Sequence, residues 1–314
     1  VFSKCKYVYQ VYKEGNFTRA AEKLFISQPS LSAAIKGIES KIGAALFERT
    51  GNRCVLTEIG EAYITATEQI LNAENEFERK MNDIYSLESG QLVVGGTNYL
   101  SSYVLPKIIN RFTMRYPKIK VTLVEANSGS LGDMLKNGQV DIIIDSFEKD
   151  MDAYEGYPLV SERILLCVPE DRAVNRKLSG KQILPESIYN GSADLEGTAP
   201  VSVREFEEEN FVLLKPGNDM YARAMAIFEK EGFMPNVAFY LDQLNISYAL
   251  AESGIGLCFV TDTFLKYAKF KNNVLLYNVG ENHCNRTLYV AHKKNKYCTR
   301  AMQAFIQMAK DIVK

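Results

Sequence analysis

The sequence predicts a mixed α/β protein in three parts: a helical N-terminal unit finished by a wing, one long helix, and a two-lobed α/β region. Three observations predict it. Two short apolar runs at helical spacing are split by Ser27-Gln28-Pro29. Apolar residues then repeat every seven positions between Ile59 and Ile84. From Leu92 onward, short apolar runs alternate with helical patterns. A chain of 314 residues has room for two or three domains. The expected boundaries are 1–57, 58–89 and 90–314, the last divided into one lobe from 90–163 with 269–314 and another from 164–268.

In the first part, Phe2, Tyr7, Tyr9 and Val11 open a helix that Gly15-Asn16 stops. Thr18 is placed to cap a second helix, whose apolar face is Ala20, Ala21, Leu24 and Phe25. Ser27 is the expected N-cap of a third, and Pro29 suits its first turn, where a missing N–H costs nothing. Leu31, Ile35, Ile38 and Ile42 then mark one buried stripe, leaving Ser30, Ala33, Ala34, Lys36 and Gly37 on the opposite face. LFERTGNRCVLT reads as two short strands around Thr50-Gly51-Asn52, a wing.

The second part reads as one helix. Ile59, Ala66 and Ala73 are seven apart, as are Tyr63, Ile70, Phe77 and Ile84, with Lys80 the one break in the pattern. A stripe sustained this long predicts pairing with the same helix of a second copy, against the alternative of packing on its own domain.

In the third part, strands are expected at Leu92–Thr97, Val121–Glu125, Asp141–Asp145, Leu165–Val168, Phe211–Leu214, Val237–Leu241, Gly256–Val260, Val274–Tyr277 and Leu288–Ala291, and a helix at Arg300–Val313. Alternation with helices predicts a largely parallel sheet covered on both faces. The stretch 176–209, rich in Gly, Ser and Pro with acids near its end, is expected to be a loop or small subelement over a cleft or against another subunit.

The net charge of −1 hides a segregation. Residues 1–57 carry nine basic and four acidic side chains; residues 58–88 carry two and eight. A basic first domain on a neutral protein fits a nucleic-acid module. No apolar run reaches bilayer length, and the first residues hold no apolar signal core, so a cytoplasmic protein is expected. Six cysteines (Cys5, Cys54, Cys167, Cys258, Cys284, Cys298) contain no CxxC pair and read as reduced thiols. His283, Cys284, His292 and Cys298 match no common zinc spacing, so no metal or cofactor is expected. No nucleophile elbow, Walker loop, HExxH or GxGxxG occurs, and only two histidines are present, which argues against an enzyme. Gly95-Gly96 after a strand reads only as a close approach.

FTRAAEKLFISQPSLSAAIKGIESKIGAALFERTGNRCVLTEIGE resembles the winged helix-turn-helix of LysR-type transcriptional regulators. The paired alanines, the S-Q-P-S-L-S restart, I-E-x-x-I-G, L-F-E-R and L-T-x-x-G occur in that order. LPKIINRFTMRYPKIKVTLVEANSGSLGDMLKNGQVDIIIDSF, VLLKPGND and ALAESGIGLCFVTDTF resemble the regulatory part. The resemblance implies a type II periplasmic-binding-protein-like effector domain in a cytoplasmic homo-oligomer. Its implied partners are double-stranded promoter DNA, a small effector, further copies of itself (a dimer, or a tetramer as a dimer of dimers) and RNA polymerase, with no membrane. The third helix is then the one that enters the major groove. The residues implied to bind DNA are Thr18, Arg19, Ser27, Gln28, Pro29, Ser30, Ser32, Ala33 and Lys36, with Arg49 and Arg53 at the wing. Many relatives carry Arg or a long polar residue where this chain has Ala33 and Ala34, which implies fewer guanine contacts. Pairing is assigned to Ile59, Tyr63, Ala66, Ile70, Ala73, Phe77 and Ile84.

Strand-to-helix junctions supply the effector candidates: Thr97, Asn98, Tyr99 and Ser101; Ser128 and Gly129; Asn218; and Gln243. Hydroxyls and free N–H groups at helix starts suit an anion. No arginine stands at these junctions, so a small mono-anionic or zwitterionic metabolite is expected rather than a polyphosphate. The alternatives are a thiol-based redox sensor and, more distantly, a solute-binding protein.

Overall fold

The computed structural model describes residues 4–50, 53–85, 90–146, 153–268, 273–280 and 285–313. His283 and Cys284, and the side chains of Arg49, Arg53 and Ile84, lie outside the described part. The chain divides into two compact units, Val1–Glu78 and Arg79–Lys314.

The first unit holds α1 (Cys5–Glu14), α2 (Phe17–Lys23), α3 (Gln28–Ile42), the hairpin β1 (Phe47–Thr50) and β2 (Arg53–Leu56), and most of α4 (Glu58–Tyr85). Its core gathers Val8, Val11, Ala20, Ala21, Leu31, Ile35 and Ile38 with Leu46, Tyr63 and Ile64. Asn16, not Thr18, caps α2: its Oδ1 accepts the amides of Thr18 at 2.8 Å and Arg19 at 3.1 Å. An amide oxygen one residue before the helix reaches both orphan donors, whereas Thr18 already lies inside the first turn. The junction of wing and α4 is built on Thr57, whose hydroxyl donates to Ala45 O (2.8 Å) and accepts Gly60 N (2.9 Å). Gly60 is obligatory there, since a Cβ would stand 2.1 Å from the Leu46 carbonyl oxygen.

Along α4, Ile59, Ile70, Ala73 and Phe77 are exposed and Ala66 is half-buried. Tyr63 departs from the expected pairing stripe. It is buried in the first unit's own core, because α4 begins by packing on that unit before its apolar stripe is left open.

The second unit is α/β. Its main sheet runs β4 (Ile119–Glu125), β3 (Gly90–Gly96), β5 (Ile142–Asp145), β12 (Asn285–Lys293), β6 (Tyr154–Pro169), β11 (Val274–Asn278), β7 (Gln182–Ile183), with β10 (Cys258–Thr261) also on β6. β8 (Asn210–Leu214) and β9 (Asn236–Leu241) form a separate parallel pair. The helices are α5 (Leu105–Arg115), α6 (Ser128–Lys136), α7 (Val174–Lys177), α8 (Pro185–Tyr189), α9 (Asp219–Glu231), α10 (Leu244–Glu252), α11 (Asp262–Ala268) and α12 (Arg300–Ile312). A π-helical turn, Leu100–Val104, leads into α5.

The sheet is not largely parallel. β3 pairs in parallel with β4 and β5, but β5, β12, β6, β10, β11 and β7 meet antiparallel. The reason is β6, sixteen residues long, of which only the apolar end Leu165–Val168 stood out in the sequence. Its first part, interrupted by Glu155, Gly156, Pro158, Ser161 and Glu162, pairs with β12 through Arg163; from Ile164 it pairs with β10 and β11. One strand therefore runs through both lobes. β11, assigned to the first lobe by sequence, pairs with the second half of β6. Gly95 and Gly96 let helices lie on β3: a Cβ would meet Leu131 Cδ2 at 2.7 Å and Leu105 Cδ1 at 2.6 Å. The stretch 176–209 is folded, with Leu178, Ile183, Ile188, Val201, Val203 and Phe206 buried in the unit's main core.

Candidate functional site

Two regions gather the residues singled out by the sequence. On the first unit, the turn between α2 and α3 is tight. Phe25 adopts φ +55°, unusual for a bulky residue, and its ring is 95% exposed. Ser27 Oγ caps α3 by accepting Ser30 N at 3.3 Å, and Gln28 Nε2 donates to Ser32 Oγ at 3.0 Å. Leu31, Ile35 and Ile38 face inward, so Pro29, Ser30, Ala33, Lys36 and Gly37 are left exposed, with Gln28, Ser32 and Ala34 half-buried. Thr18 and Arg19 are exposed as well, and Arg19 is steadied by donating from Nη2 to Glu14 O at 2.8 Å. The result is a shallow helix face of small side chains and one lysine.

In the second unit, a cavity with about 400 Å³ of empty space, part of it open to solvent, is lined by Thr97, Asn98, Tyr99, Ser128, Asn218 and Gln243. Six of the eight sequence candidates thus come together from four separate junctions. Asn218 caps α9 (Met220 N to Oδ1, 2.9 Å), and Asn127 caps α6 ahead of Ser128 (Ser130 N to Oδ1, 2.9 Å). Ser101 and Gly129 do not line the cavity. The Ser101 hydroxyl is turned back to donate to Gly96 O at 2.9 Å inside the π-helical turn. Gly129 has no side chain to present. The stretch 176–209 does not cover this cavity either: its apolar residues are held in the core, and none lines it among the described residues.

Sequence reasoning placed Asp219 at the Asn218 junction without giving it a contact, and missed the rest of the charged lining: Asp145, Asp242 and Arg286. Asp145 closes the apolar run of β5, a polar residue at a strand end that could have been noticed. Arg286 lies on β12, far in sequence from every junction, and had no local signal. It brings an arginine to the lining from outside the junctions, none of which carries one. Arg286 is almost fully buried; its Nε donates to Glu162 Oε2 at 2.6 Å, its Nη1 to Asp219 Oδ2 at 2.8 Å and its Nη2 to Tyr99 OH at 3.0 Å. Tyr99 OH in turn donates to Glu162 Oε1 at 2.7 Å, so arginine, tyrosine and glutamate form a closed ring. Burial would lower the Arg286 pKa, but Glu162, Tyr99 and Asp219 outweigh it and hold it well above its usual value. Burial would raise Asp219, but Arg286 and Arg223 hold it below the ordinary carboxylate value. Asp145 goes the other way. Burial pushes it up to about 6, against hydrogen bonds from Ser128 and the Ser146 amide and the charge of Arg286.

Among the described residues the cysteines offer no comparable site. Cys167 and Cys258 stand opposite each other across β6 and β10, but both are buried. Burial, and then Cys258 beside it, push the Cys167 thiol well above its usual pKa, the reverse of what a reactive thiolate needs. Among the described residues no helix is long and apolar enough to cross a membrane.

Comparison with known proteins agrees with both regions. Residues 2–61 match the model of the bacterial regulatory helix-turn-helix protein, lysR family, and residues 86–314 match the LysR substrate binding domain. The chain is 28% identical over 313 residues to the HTH-type transcriptional regulator YcgK of Bacillus subtilis (strain 168), covering 98% of this chain and 94% of that one. Its fold is similar to that of a full-length OxyR variant from Pseudomonas aeruginosa (TM-score 0.69, 18% identity, 100% and 99% covered). It is also similar to CbnR in complex with its target DNA (TM-score 0.67, 17% identity, 99% of each chain). With both domain models matched in order, the chain belongs to the LysR family of transcriptional regulators.

Proposed function

We propose that the chain reads promoter DNA with the exposed face of α3 and senses a small metabolite in the cavity around Ser128 and Asn218. The observation that carries the sensing role is convergence: four strand-to-helix junctions, scattered from residue 97 to residue 243, meet at one cavity. Open α/β sheets bind ligands at such strand ends. For DNA reading, the support is the small, exposed outer face of α3 beside Lys36, which lets a helix approach base edges in the major groove. The similarity to CbnR bound to its target DNA agrees. Arg49 and Arg53 are proposed as wing contacts to phosphate from their place in β1 and β2. The open apolar residues Ile59, Ile70 and Phe77 of α4 support pairing with a second copy. The proposed division is a DNA-binding domain (1–57), a pairing helix (58–89) and an effector domain (90–314). The protein then has no catalytic step and works in the cytoplasm, where promoter DNA is found.

The test uses the full-length chain. Duplexes selected from a random pool should share a two-half-site pattern, and affinity for them should fall steeply with salt. A metabolite that changes that affinity should lose its effect in Ser128→Ala. Equal binding of all duplexes would refute the DNA assignment; an unaltered response in Ser128→Ala would refute the cavity.

A further inference from the structure

The charges around the cavity do not cancel, and the imbalance points to the kind of ligand it takes, given the reading of that cavity as the effector site. Four carboxylates meet there: Asp145, Asp219 and Asp242 in the lining, and Glu162 behind Arg286. Three bases answer them. Arg286 pairs with Glu162 and Asp219, Arg223 pairs with Asp219 at 3.0 Å, and Lys215 pairs with Asp242 at 2.7 Å. No cation among the described residues pairs with Asp145, which is 3% exposed.

The hydrogen bonds agree with this atom by atom. Asp145 Oδ1 accepts the Ser146 amide at 2.8 Å and the nearby Ser128 hydroxyl helps to hold the charge, whereas Oδ2 is buried without a hydrogen-bond partner among the described residues. Thr97 Oγ1 and Asn98 Oδ1, in the same lining, are also buried and, among the described residues, unpartnered. The Asn98 amide is oriented by its Nδ2, which donates to Glu125 Oε1 at 3.0 Å, so the atom left over is the acceptor. A carboxylate, an amide oxygen and a hydroxyl thus lack donors, and such groups are costly to leave unmet inside a protein. Arg286, the guanidinium in the lining, commits three of its five N–H donors to Glu162, Asp219 and Tyr99, and its charge is already met by two carboxylates.

We propose that the effector carries a primary ammonium group that ion-pairs with Asp145, with Thr97 and Asn98 accepting its remaining N–H bonds. An ammonium supplies three donors and one positive charge, the complement of what is missing. A bound cation beside Asp145 joins Arg286 in favouring its ionised form, while Asp219 and burial oppose it. Ligand affinity therefore falls as the solution is acidified through about pH 6.

The test is thermal unfolding of the full-length chain at matched ionic strength with paired probes. One set comprises amino acids and aliphatic primary amines; the other, the same carbon skeletons without the amine, as carboxylates. The expected result is that an amine-bearing probe raises the unfolding temperature by a few degrees. Its deaminated partner should not, and Asp145→Asn should weaken the response by about tenfold or more. A carboxylate probe that stabilises as well as its amine partner, or an amine whose effect survives Asp145→Asn, overturns the ammonium. If such a response is nevertheless lost in Ser128→Ala, the cavity stands as the effector site and only the ammonium falls. No response to either set removes both.

Discussion

The outer face of α3 and the cavity of the second unit are both polar surfaces built at helix starts, yet they hold their polar groups in opposite ways. On α3, Ser30 and Lys36 face water, which can satisfy whatever bonds the protein leaves open. In the cavity, Arg286, Glu162 and Tyr99 are buried and bonded to one another, and Asp145 is buried without an ion partner among the described residues. One region can be altered without disturbing the fold. The other stores free energy that a ligand can release.

The sharpest way to break this contrast is Arg286→Ala. It strands Glu162, which is fully buried, and should cost about 3–5 kcal/mol, read as a large fall in unfolding temperature. A change as small as that of a surface substitution would mean that the ring of Arg286, Tyr99 and Glu162 is not a structural unit.

Asp145→Asn should do the reverse. Its carboxyl is raised from 3.8 to about 6 in the folded chain, so its favourable contribution is present below pH 4 and is lost as pH rises through 6. At about pH 8 the unliganded Asn variant should therefore be more stable than the parent by about 2–3 kcal/mol. Below pH 4 the two should unfold together. Denaturant titrations at both pH values decide it, and equal stability at the higher pH would contradict a strained, ligand-awaiting carboxylate.

Lys36→Ala should leave stability within about 0.5 kcal/mol, as befits an exposed side chain. If Lys36 meets a phosphate, the magnitude of the salt slope of DNA binding should fall by about 0.9. If it meets a base, the slope should hold and the selected sequence should change. The smallest effect is expected at Phe25. Asn tolerates its φ of +55° better than a bulky ring does, and the exposed ring takes no apolar packing with it when removed. Phe25→Asn should therefore stabilise the chain by a few tenths of a kcal/mol. A calorimetric comparison of the two chains checks this.

The same contrast governs what could be read in the sequence. The α3 face is local: the Leu31, Ile35 and Ile38 stripe fixes which residues point out, and the Ser27 cap with Pro29 fixes where the helix starts. The junctions with Ser128 and Asn218 are local too, because a strand end followed by a capping residue is written in a few positions. Arg286 and Glu162 are not. They meet across 124 residues, through the pairing of β12 with β6, and neither has a neighbour in sequence that hints at the other. The early part of β6 was missed for a related reason. Glu155, Glu162 and Arg163 break any apolar run, and this part of the strand is held by its ladder with β12 rather than by its own composition. Asn16 took the cap expected of Thr18 because one carboxamide oxygen could satisfy two amides at once.

The continuity of β6 has a mechanical consequence. At Arg163 and Ile164 its hydrogen-bonding neighbours change from β12 to β10 and β11, while its own backbone passes through without interruption. A turn of one half of the sheet against the other can then be absorbed as added twist at that seam, with no ladder bond broken, much as a strip of spring steel bends where its clamps meet. Glu162, one residue before the seam, is gripped by Arg286 and Tyr99 of the cavity. An occupant that touches Arg286 or Tyr99 in the cavity is thereby connected to β6 one residue from that seam.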